Sequence, residues 1–190
     1  MISIQKKCVF DIDGVLNYYP NTWIEFANER AQRNCKTLDE LKNGLSYITY
    51  KRIKEEYREC GIKETFKVRE NALELLTLLK EKDFYILVVT ARPISKCNSL
   101  MAQTTNWLKK NNLPYDNIFF SEKKHLSILE YFNDIEFVVE DNRAYANDIA
   151  KHNYKVFLLD NDYNQGDINH LVRRITNLNQ IIGVYKDANK

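Results

Sequence analysis

Two carboxylates lie two residues apart near the start of the chain. Asp11 and Asp13 follow a short apolar run, and Gly14 comes directly after them, where it lets the chain turn sharply. Paired carboxylates repel each other and are tolerated when a cation or a catalytic task compensates. Such a pair suits metal-assisted chemistry in which one acid attacks and the other transfers a proton. A polar turn after a strand is the alternative interpretation.

Two more apolar runs also end in side chains that could do chemistry. Thr90 and Arg92 follow the run at 85–89, and Glu140 and Asp141 follow the run at 136–139. A threonine hydroxyl can donate a hydrogen bond to a phosphoryl oxygen, and a guanidinium can pair with its charge. Carboxylate oxygens from two strand ends can hold Mg²⁺ beside a phosphate. The three sites together predict phosphoryl chemistry.

A pair of lysines precedes a helical pattern between these runs. Either Lys123 or Lys124 could neutralise the charge that develops on a phosphorylated aspartate. The other lysine is then a solvated surface charge.

Five apolar runs define the predicted strands, and helical patterns separate the last four of them. Their near-continuous hydrophobicity indicates strands that are covered on both faces, as in a parallel sheet. The runs are residues 8–10, 85–89, 117–120, 136–139 and 155–159. The alternation predicts an α/β, Rossmann-like doubly wound fold with a mainly parallel five-stranded sheet. Ligands of such sheets bind beyond the carboxyl ends of the strands, where the acids lie.

A stretch without strand character interrupts this alternation after the first strand. We predict helices over 22–33, from a capping box that starts at Thr37, and over 49–60, with Gly61 ending the third. Residues 17–65, here called the helical insert, would form a small cap over the sheet. Residues 1–16 and 66–190 would form the α/β core, with a last helix around 168–182.

The composition is that of an ordinary globular protein of one core. The 190 residues are 44% hydrophobic and 28% charged, with a formal net charge of +2. That charge favours a small phosphorylated substrate over a polynucleotide. No apolar run is long enough to span a membrane, and four scattered cysteines without a CxxC pair fit a reducing compartment. We therefore predict a cytoplasmic protein without a membrane partner, and a homodimer is left open.

The strand-end motifs in this order resemble the haloacid dehalogenase-like (HAD) superfamily over residues 8–160. The resemblance implies a phosphatase in which Asp11 is the nucleophile, Asp13 is the general acid/base and Thr90 binds the phosphoryl group, with Lys124, in preference to Lys123, as the lysine of the superfamily. It implies a Mg²⁺ site of Asp11, the Asp13 carbonyl, Glu140 and Asp141, although many members carry aspartate at the position of Glu140. The general-acid role predicts that the site raises the pKa of Asp13.

Finer features are similar to the 5′(3′)-deoxyribonucleotidase group of that superfamily. They are the Asp-Ile-Asp-Gly-Val-Leu motif, the insert that follows it, and segments 105–115 and 158–164. The similarity implies a nucleoside monophosphate as substrate. It places Gly14, Ala91 and Arg92 in substrate binding, and it places Tyr18 and Tyr19 where aromatic residues of the group stack on the base, with Tyr19 the favoured one.

Four aromatic residues of the insert are further candidates for base stacking, although they could instead pack the insert onto the sheet. They are Trp23, Phe26, Tyr47 and Tyr50. A polynucleotide 3′-phosphatase, a phosphatase of sugar or cofactor phosphates, and a non-catalytic binding protein with the same fold are the alternative functions.

Overall fold

The computed structural model describes residues 5–187, in which one parallel sheet lies between helices. The strands are β1 Lys7–Phe10, β2 Tyr85–Thr90, β3 Asn117–Phe120, β4 Ile135–Glu140, β5 Val156–Leu159 and β6 Val172–Ile175. Their order across the sheet is β3-β2-β1-β4-β5-β6, and every neighbouring pair is parallel. The expected α/β fold with a parallel sheet is confirmed.

The expected strand count was wrong, because the sheet has six strands and not five. The sixth strand, β6, pairs with β5 at the edge of the sheet. Arg173 and Arg174 interrupt its apolar residues, so the segment lacks the continuous hydrophobic run of a central strand. It also lies within the range 168–182 predicted as the last helix, and that helix, α8, covers Asn179–Asp187 instead.

The two faces of the sheet are covered by different helices because strand side chains alternate in direction. Phe10, Val88 and Val139 face one buried cluster, whereas Val9 and Val138 face the other. The helices of the core are α4 Ala72–Glu81, α5 Ser99–Lys110, α6 Lys124–Tyr131, α7 Arg143–Ala150 and α8. The near-continuous apolar runs of the sequence therefore reflect burial on both faces.

Three helices and a short 3-10 helix follow β1 before α4. They are α1 Asn21–Ala31, α2 Leu38–Gly44, α3 Tyr47–Glu59 and the 3-10 helix Ile62–Thr65. The Thr37 hydroxyl accepts a hydrogen bond from the Glu40 amide at 3.1 Å, which starts α2 as predicted. The Glu40 carboxylate accepts a hydrogen bond from the backbone amide of Lys36 and not from that of Thr37, so the second bond of the predicted capping box is replaced. Gly61, with a φ of +79°, follows the end of α3.

The order of the strands creates a crevice at the centre of the sheet. From β1 the chain adds strands first on one side, β2 and β3, and later on the other, β4 to β6. Ligands of open α/β sheets bind at such a reversal, outside the carboxyl ends of the strands. Asp11, Thr90 and Asp141 all lie at this place, at the ends of β1, β2 and β4.

The described residues contain no helix long and apolar enough to cross a membrane. The four cysteines are free thiols, of which Cys8 and Cys97 are buried and Cys60 is exposed.

Candidate active site

Three buried carboxylates meet at the ends of β1 and β4. Asp11, Glu140 and Asp141 each offer an oxygen within 4.8 Å of the others, and none of the three is more than 6% exposed. The Asp11 amide donates to the Val139 carbonyl at 3.1 Å, which continues the β1–β4 pairing up to the acid. With Lys124, these residues form what we call the strand-end acid cluster.

Lys124 is the single cation of this cluster. Its ammonium lies 2.6 Å from Asp11 Oδ2 and 3.0 Å from Glu140 Oε2. Burial alone would lower the pKa of Lys124, but the charges of Asp11 and Glu140 outweigh it and raise the pKa above its ordinary value. Lys123, at the start of α6, is exposed. The structure therefore brings Lys124, and not Lys123, to the acids.

One ammonium cannot balance three carboxylates in a buried place. Burial raises the pKa of Glu140 to about 7, and it raises the pKa of Asp141 well above its ordinary value, where Glu140 and Asp11 add repulsion. Asp11 Oδ1 is buried and has no hydrogen-bond partner. Close carboxylate oxygens with an unmet need for positive charge fit a Mg²⁺ ion, which prefers such ligands.

Asp13 has the opposite surroundings, in which cations are in excess. Arg92 donates to both of its oxygens, with Nη2 at 2.6 Å and Nε at 3.0 Å. The side-chain amide of Asn17 donates to Asp13 Oδ1 at 2.9 Å, and the Lys63 ammonium lies 3.6 Å from Asp13 Oδ2. We call these four residues the Asp13 clamp. Arg92 is itself held by a bond from Nη1 to the Thr104 hydroxyl at 2.9 Å.

The clamp contradicts the expectation that the site raises the pKa of Asp13. Burial alone would raise that pKa, but the charges of Arg92 and Lys63 and the hydrogen bonds outweigh it and lower the pKa well below its ordinary value. The expectation was wrong because Arg92 was assigned to the substrate and Lys63 was not considered. Asp13 is therefore a carboxylate as the structure shows it.

Gly14 fills a position where no other residue fits. Its φ is +88°, and a Cβ atom there would lie 2.0 Å from Asp141 Oδ2 and 2.8 Å from the Tyr163 hydroxyl. That hydroxyl donates to Asp141 Oδ2 at 2.5 Å. The Gly14 amide donates to the Asn17 side chain. Gly14 thus lets the turn after β1 pass close to Asp141 at the end of β4, and it does not line the cavity above them.

A cavity of about 550 Å³ lies over both groups of charges. Thr90, Ala91 and Arg92 line its floor beside the acids, as predicted for the end of β2. Tyr19 lines it as well, whereas Tyr18 turns away and accepts a hydrogen bond from the Glu70 amide. The volume is in the ordinary range of small-molecule sites, about 300–1,000 Å³.

The family of the chain is decided by comparison with known proteins. The family described as 5′ nucleotidase, deoxy (pyrimidine), cytosolic type C matches residues 5–185. The chain belongs to this nucleotidase family. The expected HAD-type phosphatase resembling the deoxyribonucleotidase group is confirmed at that level.

Individual relatives agree with the family. A nucleotidase of Clostridium acetobutylicum is 28% identical, over 95% of this chain and 93% of the relative. Two solved structures share the fold. A HAD hydrolase of Bacillus subtilis bound to magnesium has a TM-score of 0.66 at 12% identity, over 96% of this chain and 99% of that one. A D,D-heptose 1,7-bisphosphate phosphatase of Burkholderia thailandensis has a TM-score of 0.56 at 14% identity, over 98% and 99%.

The aromatic residues proposed for base stacking occupy different places in this family member. Trp23 and Phe26 are buried and pack edge-on against Tyr57 inside the insert. Tyr47 is 79% exposed, and neither it nor Tyr50 lines the cavity over the acids. Packing of the insert therefore explains Trp23 and Phe26, and Tyr19 is the predicted stacking residue that the structure brings to the site.

Three residues of the site were not found from the sequence. Asn17 and Lys63 hold Asp13, and Tyr163 holds Asp141. Asn17 is fully buried and directly follows the Asp-Ile-Asp-Gly-Val-Leu motif, so its place in the sequence could have identified it as a site residue. Lys63 belongs to the insert and Tyr163 to a 3-10 helix after β5, and only the tertiary structure brings either to the acids.

Proposed function

We propose that the protein is a Mg²⁺-dependent 5′-nucleotidase that hydrolyses (deoxy)nucleoside monophosphates through an aspartyl phosphate on Asp11. The observation that carries this proposal is the unequal state of the two Asp11 oxygens. Oδ2 is bound to Lys124, whereas Oδ1 has no partner, and the residue itself lines the cavity. A carboxylate that is fixed through one oxygen and keeps the other unpaired suits nucleophilic attack.

The residues of the chain divide the reaction into two displacements. In the first, Asp11 Oδ1 forms a bond to phosphorus, the ester P–O bond breaks, and Asp13 gives a proton to the departing nucleoside oxygen. In the second, Asp13 takes a proton from water, the water oxygen bonds to phosphorus, and the bond to Asp11 breaks. Phosphate leaves, Asp11 is a free carboxylate again, and Asp13 holds a proton, as it does at the start of the first displacement.

A bound metal would complete the charge balance of these steps. We infer that Asp11, the Asp13 carbonyl, Glu140 and Asp141 would hold Mg²⁺, which would screen the equatorial phosphoryl oxygens. Lys124 and the Thr90 hydroxyl would face the same oxygens from the protein side.

The Asp13 clamp gives this acid a way to gain its proton. Arg92 and Lys63 keep Asp13 ionised. A phosphoryl dianion in the cavity would compete for both cations and add its own negative charge. Each effect raises the pKa of Asp13, so substrate binding would favour the protonated acid that the first step needs.

We place the substrate base against Tyr19, under the helical insert acting as a cap. Residues 1–16 and 66–190 then supply the chemistry, and residues 17–65 supply the cover. Base stacking on an aromatic ring contributes about 1–3 kcal/mol per base.

The proposal is tested by phosphate release from nucleoside monophosphates, sugar phosphates and a 3′-phosphorylated oligonucleotide, with Mg²⁺ and with EDTA. We expect metal-dependent turnover that favours the nucleoside monophosphates. In Tyr19→Leu, we expect kcat/KM for these substrates to fall about tenfold. Tyr18→Leu is the matched control, because that ring faces away from the cavity. Equal rates on nucleotides and sugar phosphates would remove the nucleotidase assignment.

A further inference from the structure

The helical insert directs cationic side chains into the cavity above the acids. Lys42 comes from α2, Lys54 and Arg58 from α3, and Lys63 from the 3-10 helix. They face the strand ends from the side opposite the reacting carboxylates. The cavity therefore has an acidic floor and a basic roof, and we call these four residues the basic roof.

Three members of the basic roof have no acidic partner. Lys63 pairs with Asp13 at 3.6 Å. Among residues 5–186, no carboxylate of a described side chain lies within ion-pair distance of the side chains of Lys42, Lys54 or Arg58. Glu56 of α3 does not remove this surplus, since it is paired with Arg30 at 2.6 Å. Charges that face a cavity without a protein partner are available to a ligand.

Lys54 is the least solvated of the three. Its ammonium lies 3.9 Å from the ring centre of Trp23 and 5.4 Å from that of Tyr19. Burial, and next the charge of Lys63, lower its pKa to about 7. An anion bound beside this ammonium would favour its charged form, so this position favours the binding of a negatively charged ligand.

The charge count of the cavity exceeds what a monophosphate can balance. Seven lysines and arginines line the cavity against four aspartates, and Glu140, which pairs with Lys124, is a fifth acid of the site, so the excess is two positive charges. A phosphomonoester dianion offsets both, but a bound Mg²⁺ ion would add two more. A substrate with further negative charge would restore the balance.

We propose that the preferred substrate is a nucleoside bisphosphate, whose second phosphate binds Lys42, Lys54 and Arg58 while the first lies at Asp11. This inference rests on the proposed nucleotidase function and specifies its substrate class. A guanidinium and two ammonium groups are the side chains that proteins use for phosphate recognition. The cavity is of mononucleotide size and lies beneath the insert, which favours a bisphosphate over a polynucleotide.

The test compares kcat/KM for adenosine 3′,5′-bisphosphate and adenosine 5′-monophosphate, and for the matching deoxythymidine pair, with saturating Mg²⁺. We expect the wild-type protein to prefer the bisphosphates by about tenfold or more, as charge-assisted bonds imply. Lys54→Gln and Arg58→Gln should each lower this ratio several-fold, and the double variant should bring it near one. Arg52→Gln is the matched control, because Arg52 is exposed on the same helix outside the cavity.

The outcomes separate this inference from the proposed function. Turnover of monophosphates with a ratio near one in the wild-type protein would overturn the bisphosphate assignment and leave the nucleotidase standing. Turnover of neither nucleotide would overturn both. A preference for a 3′-phosphorylated oligonucleotide over the bisphosphates would also overturn the assignment. If Lys54→Gln does not fold, Lys42→Gln replaces it, because Lys42 is exposed.

Discussion

Asp11 and Asp13 are separated by one residue, yet the structure surrounds them with opposite charges. In the strand-end acid cluster, three carboxylates share one ammonium, and burial raises the pKa of Glu140 and Asp141. In the Asp13 clamp, a guanidinium and an ammonium share one carboxylate, and the pKa of Asp13 is lowered. One group lacks positive charge, and the other lacks negative charge.

The difference shows how a single loop can contribute to a site suited to a cation and to a second site suited to an anion. Under the proposed function, a bound cation would balance the acid cluster, and a bound anion would balance the clamp. A phosphoryl group bound with its metal would supply both. Neighbouring residues reach these different surroundings because Ile12 turns into the core between them.

Replacing Asp11, the proposed nucleophile, should remove activity without removing the fold. In Asp11→Asn, we expect phosphate release to fall by about 10⁴-fold or more, because the attacking carboxylate is lost. The melting temperature should be retained, since the change relieves repulsion within the acid cluster. Asp39→Asn, which alters an exposed acid lining the same cavity, should keep its turnover. Metal-dependent hydrolysis by the Asp11 variant would contradict the proposed mechanism.

Removing the single cation of the acid cluster should affect both rate and stability. In Lys124→Met, we expect a rate loss of about 10²–10³-fold, typical of removing one charge-stabilising donor. Three carboxylates would be left together, so urea unfolding in EDTA should show a loss of about 3–5 kcal/mol. Added Mg²⁺ should restore part of it. The matched variant Lys123→Met changes an exposed lysine, and an equal loss there would refute the assignment of Lys124.

The acid cluster should also give the metal-free protein an unusual pH dependence. The pKa of Glu140 is raised from 4.5 to about 7, so the folded state keeps a proton that the unfolded chain releases. This stabilisation is complete below pH 4.5 and is lost as the pH rises through about 7. In EDTA, the free energy of unfolding should therefore fall by roughly 1–3 kcal/mol between pH 5 and pH 8.

The carboxylate of Asp13 does not interfere with this measurement, whereas Lys63 and Lys54, whose pKa values burial lowers to about 8 and about 7, add stability as the pH rises above those values. The lowered pKa of Asp13 gives a stabilisation that is lost only as the pH falls below the ordinary value of 3.8. Saturating Mg²⁺ is the control, because a bound cation favours the ionised acids and should flatten the pH profile. An identical profile with and without Mg²⁺ would argue against metal binding by these carboxylates.

The sequence allowed most of the fold and the floor of the site to be predicted. Central strands are buried on both faces, so their apolar runs were visible, and Asp11, Thr90 and Glu140 directly end such runs. Parallel strands bring their carboxyl ends to one edge, and the grouping of these side chains followed. β6 was missed because an edge strand tolerates polar residues such as Arg173 and Arg174.

The roof of the site could not be predicted in the same way. The positions of Lys54 and Lys63 depend on how α3 and the 3-10 helix pack over the sheet, and no local pattern encodes that packing. The direction of the Asp13 pKa shift depends on two cations that come from distant parts of the chain. Trp23 was an attractive stacking candidate by type, but its burial is a property of the folded insert.

The central position of β1 has a consequence for how the protein is made. Lys7 pairs with Tyr85 on one side, and Cys8 pairs with Phe137 on the other, so β1 can complete its pairing only after residues far along the chain have been synthesised. Non-local pairings of this kind form slowly and close late. We expect Asp11, the proposed nucleophile, to meet its neighbours only near the end of folding, so that a partly synthesised chain carries this residue without catalytic activity.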